Sequence, residues 1–106
     1  MLTKKQIQHM ADIIVEKFHP EKIILFGSYA RGDATEDSDV DFIVIKDTYN
    51  DVREEAVNIM NEMWDVPVAT DIFVRTKEQF AQEKKYFWSV FAIADKEGEI
   101  LYEQVA

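Results

Sequence analysis

The chain has 106 residues, 47% of them hydrophobic, no cysteine, and a formal net charge of −9. That length fits one domain spanning 1–106, with enough apolar residues for one buried core and too many for a disordered chain. The acidity argues against direct nucleic-acid binding, which needs a basic face to displace counterions, and the lack of cysteine excludes disulfides and thiolate metal sites.

From the N-terminus, Met1-Leu2-Thr3-Lys4-Lys5 leads into an amphipathic helix rather than an apolar signal core. Thr3 and Gln6 form a capping-box pattern. Ile7, Met10, Ala11, Ile14, Val15 and Phe18 then recur at helical spacing, and His19-Pro20 ends the helix. Lys22–Phe26 is a short apolar run suited to a strand covered on both faces. Gly27-Ser28 closes it, Tyr29–Arg31 form a helical turn stopped at Gly32, and Asp33–Ser38 is a polar loop.

Val40–Ile45 predicts a second buried strand. Val52, Ala56, Ile59, Met60 and Met63 share one face of a second long helix. Val66–Val74 reads as a third strand, with Pro67 at its first residue or on an edge. Thr76 and Gln79 repeat the capping box and open another helix. Phe87, Val90, Phe91 and Ala94 mark a last helix, with Phe87 packed inward and Tyr86 and Trp88 at its margin. The competing reading makes Tyr86-Phe87-Trp88 a docking patch. Gly98 is a turn, and Glu99–Tyr102 a short final strand. The order α-β-α-β-α-β-α-α predicts an α/β (α+β) fold, a sheet of three to four strands covered by helices. His9 and His19 read as surface residues, and Glu54-Glu55 and Lys84-Lys85 as solvated helix faces. No run approaches the roughly 20 apolar residues that span a bilayer, so the default compartment is the cytoplasm.

The chemistry concentrates in one stretch. Asp39 and Asp41 are two apart, and in a strand that spacing puts both on one face. Paired carboxylates repel unless a cation or proton relieves them, and oxygen ligands of this kind suit Mg²⁺ or Mn²⁺. The bland alternative is a solvated acidic turn, easily reached by chance with 21 acidic residues in the chain. The buried run behind the pair and the glycine-serine turn ahead of it favour the metal.

Asp71 lies in the apolar stretch Val68–Val74 and needs a partner there, either a backbone donor or a metal. If its strand lies beside that of Asp39 and Asp41, three carboxylates converge, a set able to hold two ions for in-line nucleotidyl displacement. Gly27 lets a phosphate approach the backbone. Ser28 offers its hydroxyl and the free N–H groups of a helical turn. Arg31 is equally suited to a triphosphate or to an ion pair with Asp33, Glu36 or Asp37.

Three rival motifs fail residue by residue. A P-loop needs Lys and Ser/Thr after its second glycine, and Asp33-Ala34 follow Gly32. A dinucleotide fingerprint needs glycine where Tyr29 stands. A calcium loop opening at Asp37 needs Gly sixth and Glu twelfth, where Phe42 and Thr48 stand.

Gly27-Ser28-Tyr29-Ala30-Arg31-Gly32 followed by Ser38-Asp39-Val40-Asp41 resembles the signature of the polymerase-beta-type nucleotidyltransferase superfamily, and most closely its minimal nucleotidyltransferase branch. The resemblance extends over nearly the whole chain. It implies a nucleotidyltransferase-type mixed sheet, with Asp39, Asp41 and Asp71 as catalytic, metal-binding carboxylates and Gly27, Ser28 and Arg31 at the nucleotide. ATP would be the donor and Mg²⁺ the cofactor, with Mn²⁺ able to replace it.

The resemblance also implies a partner, because larger relatives carry a second domain for the acceptor and 106 residues leave no room for one. In this branch the acceptor is typically a tyrosine of a HEPN-family ribonuclease toxin, which makes the nucleotidyltransferase an antitoxin. Two alternatives remain open at this point. One is a non-catalytic module that silences its partner by occlusion. The other is transfer to a small molecule of aminoglycoside type, for which a homo-oligomer would have to build the acceptor pocket.

Overall fold

A computed structural model describes residues 1–47 and 51–105; Thr48 lies outside them. Helix α1 (Lys4–Phe18) starts at Thr3, whose side chain accepts from the Gln6 N–H while the Gln6 side chain accepts from the Thr3 N–H. It stops at His19 in the left-handed conformation. Strand β1 (Lys22–Phe26) leads into a single helical turn, α2 (Ser28–Arg31). There follow β2 (Val40–Ile45), α3 (Val52–Asn61), β3 (Thr70–Arg75), α4 (Lys77–Glu83), α5 (Val90–Glu97) and β4 (Glu99–Glu103).

The four strands form one mixed sheet in the order β3-β2-β1-β4. β1 pairs antiparallel with β2 and with β4, while β2 and β3 run parallel. A parallel pair needs a crossover, and α3 supplies it.

Alternate side chains of the strands build two cores. On one face Ile23, Leu25, Val40, Phe42, Val44, Ile72 and Val74 meet α1 and α3. On the other Ile24, Phe26, Ile43, Ile45 and Phe73 meet Phe80 of α4 and Phe91 and Ala94 of α5. Burial on both faces is why β1 and β2 read as unbroken apolar runs.

Four local expectations are corrected. The third strand begins at Thr70, not Val66, because the Val66 N–H still bonds the Met63 carbonyl in the turns leaving α3 and pairing with β2 starts at Val40 opposite Thr70. Met60 is exposed although Ile59 and Met63 of the same helix region are buried. Glu55 is not solvated: it pairs with Lys46 at 2.6 Å, both side chains being largely covered. The last helix begins only at Val90, where the Ser89 hydroxyl accepts from the Ala92 N–H, so Phe87 falls in the preceding turn and is 86% exposed.

Candidate active site

The edge of the sheet where β1 ends and β2 and β3 begin gathers the predicted residues. Phe26 stands opposite Asp41 and Asp41 opposite Asp71. Neighbouring strands lie about 4.8 Å apart, so in-register carboxylates on one face must meet. They share a hydrogen bond. Asp41 precedes Ile43 and Asp71 precedes Phe73 on the same face, so both carboxylates point to the side covered by α4 and α5.

The meeting is reflected in the proton affinity of Asp41, whose pKa is raised from 3.8 to about 7. Burial is the largest cause, then the hydrogen bond with Asp71, then the negative charges of Asp71 and Asp39; the positive charge of Arg31 opposes them. Asp39, just outside the strand, is exposed and flanks the pair. Among the described residues no three acidic or histidine side chains are drawn together around one point. The expected triad is therefore a tight pair with a third carboxylate beside it. That donor set still fits a hard divalent cation, since two oxygen ligands are in place and their repulsion is what a cation relieves.

Gly27 closes the other side at φ 76° and ψ −156°, a region open almost only to glycine. A Cβ there would overlap Oδ2 of Asp41, so the missing side chain is the space the carboxylate occupies. Directly after it α2 begins. Its carbonyl-side bonds are made: Ala30 and Arg31 N–H groups donate to the Gly27 carbonyl, and Gly32 and Asp33 to that of Ser28. The first N–H groups of such a turn have no acceptor within it and face outward. Tyr29 braces the turn from behind, its hydroxyl accepting from the Leu2 N–H at 3.2 Å.

The loop carrying Asp39 is held by its own hydroxyls. The Thr35 N–H donates to Ser38 Oγ at 2.8 Å and the Ser38 N–H to the Thr35 carbonyl at 3.1 Å. The Val40 N–H donates to the Ala69 carbonyl at 2.9 Å, locking the starts of β2 and β3 together. Arg31 pairs with Asp33 at 3.3 Å and remains nearly half exposed. The charge of Arg31 also reaches Asp41.

Sequence reading missed the Tyr29 brace and the Thr35–Ser38 clasp. Their only signal was hydroxyl-bearing residues within the motif. A cavity of about 430 Å³ lined by Leu2, Met10, Ile13, Met63, Val66 and Pro67, among others, lies on the α1 side of the sheet, behind the carboxylates.

Residues 7–99 match the family model described as "Nucleotidyltransferase domain". The chain is 34% identical over 104 residues to the "Putative protein adenylyltransferase MJ0604" of Methanocaldococcus jannaschii, covering 96% of this chain and all of that one. Its fold is similar to the crystal structure of a "putative nucleotidyltransferase" from Sulfolobus solfataricus, with a TM-score of 0.62 and 16% identity over 94% of this chain and 79% of the other. A crystal structure of a toxin–antitoxin with AMP-PNP gives a TM-score of 0.56 and 17% identity, covering 92% of this chain and 73% of the other.

Proposed function

The chain belongs to the nucleotidyltransferase family, and on that premise we propose that it transfers AMP from ATP to a tyrosine of a HEPN-family toxin, so acting as an antitoxin. The observation that carries the reading is the Asp41–Asp71 pair set against the Gly27-Ser28 turn, with a proton affinity that only close, partly buried carboxylates acquire. The name of the Methanocaldococcus relative supports a protein acceptor. The AMP-PNP complex of a similarly folded toxin–antitoxin supports ATP and a toxin partner.

In this scheme the Ser28 hydroxyl and the outward N–H groups of α2 receive the triphosphate. Gly27 keeps the backbone low enough for phosphate and carboxylate to lie side by side. Asp41 and Asp71, with Asp39, would hold Mg²⁺ or Mn²⁺, which supplies neutralising charge at the reacting phosphate and lowers the pKa of the acceptor hydroxyl. Asp71, at the open edge of the sheet, accepts that proton. The tyrosine oxygen bonds to the α-phosphorus, the bond to the β-phosphate bridging oxygen breaks, and pyrophosphate leaves. Arg31, held beside the turn by Asp33, contributes positive charge to the phosphates.

The test is transfer of labelled AMP to the purified toxin, followed by separation of the proteins. Wild type should leave the toxin inactive and heavier by AMP, and the Asp39→Asn/Asp41→Asn chain should leave it unmodified with its own fold unchanged by circular dichroism. Full transfer by the double variant would sink this mechanism. Inhibition that vanishes on separation, with no added mass, would replace it by occlusion.

A further inference from the structure

Tyr86, Phe87 and Trp88, in the turn before α5, are 54%, 86% and 66% exposed. They form one surface: the Trp88 ring lies 4.7 Å from that of Tyr86 and 5.7 Å from that of Phe87. Val90 and Ile93 of α5, also exposed, extend it along the helix. Clustered aromatics open to water are the usual anchors of protein interfaces.

The position of this surface says what it serves. α5 covers the same face of the sheet to which Asp41 and Asp71 point, and Phe91 at its start touches Phe73, two residues beyond Asp71. Its far end returns to the site, since Gly98 packs on the Leu25 carbonyl and Glu99 stands opposite Leu25, two residues before Gly27. α5 is about 12 Å long, with its start on Phe73 and Arg75 and its end beside Leu25, a span that one docked protein covers. Charge selects among proteins. Two copies of a chain with net charge −9 repel, whereas a basic protein is attracted.

We propose that the Tyr86–Trp88 turn and the exposed stripe of α5 dock the acceptor, a basic protein with an apolar cleft for the aromatic rings, and so deliver its hydroxyl to the Asp41–Asp71 edge. The proposal rests on the transferase reading for what happens after docking, but not for docking itself. The test uses the full chain with Phe87→Ser/Trp88→Ser and, as probe, the purified toxin of the proposed transfer reaction. Titration without ATP reads docking alone. The double variant should bind at least about 30-fold more weakly, with ATP binding and melting temperature unchanged. In the transfer assay KM for the protein should rise while kcat at saturation holds.

Equal binding by the variant, or no binding by wild type, overturns the docking surface. So does a wild-type dimer that the substitutions split into monomers, which would assign the patch to self-association. Binding that is lost in the variant, while wild type transfers no AMP, supports docking and removes the transferase reading.

Discussion

At the residue scale Gly27 and Asp41 are one device. A methyl group at Gly27 meets a backbone region closed to it and the Asp41 carboxylate at once. Gly27→Ala should cost about 1–3 kcal/mol of stability, and transfer should fall roughly 100-fold because the carboxylate is displaced. Gly32→Ala is the control. It also has positive φ but open space around the missing Cβ, so it should lose some stability and keep activity. Denaturant unfolding beside the AMP-transfer assay separates the two.

Asp41 makes a second prediction. Its folded-state pKa of about 7 lies above the ordinary 3.8, so folding binds its proton more tightly. Its contribution to stability is complete below about pH 3.8 and is lost as pH rises through 7. Asp41→Asn, which carries no such charge, should gain melting temperature relative to wild type between pH 5 and 8 while losing transfer. Adding Mg²⁺ at pH 8 should raise the melting temperature of wild type and leave the variant unmoved. Parallel pH profiles for the two proteins would refute the assignment.

At the scale of elements, the crossover that brings Asp71 beside Asp41 is fixed by how α3 and β2 are tied. Lys46 follows β2 directly and meets Glu55 of α3 with little solvent around either. Removing one partner strands a charge. Glu55→Leu should therefore cost up to about 3 kcal/mol, and Lys46→Met/Glu55→Leu should recover most of it, as denaturant midpoints would show.

The same elements show what a sequence can and cannot tell. Asp39 and Asp41 announce themselves because their spacing is local. Asp71 was legible only conditionally, since nothing in the 29 residues between Asp41 and Asp71 states that β2 and β3 run parallel and in register. The late start of β3 was hidden because Val66 and Val68 are strand-forming residues that serve the core from a turn. Phe87 misled because its spacing to Val90, Phe91 and Ala94 is helical. The Ser89 cap that starts the helix two residues later carries no capping-box partner to advertise it.

Across the whole molecule, charge and apolar surface are arranged for different jobs. The 21 acidic against 12 basic side chains give a field felt beyond contact distance. Around the aromatic turn Lys84 pairs with Asp95 and Glu83 with Arg75, so attraction of a basic protein comes from the net charge rather than from a local acidic patch. Long-range attraction should govern how fast a basic acceptor arrives, and the rings that it covers on docking how long it stays. Association followed through the exposed Trp64 and Trp88 should therefore slow by about tenfold or more as salt rises from low ionic strength through the physiological range, where the screening length shrinks to about 8 Å. Dissociation should change little with salt, and Phe87→Ser/Trp88→Ser should show the reverse pattern, arriving at the wild-type rate and leaving faster. A salt-independent on-rate would mean that the net charge plays no part in choosing the partner.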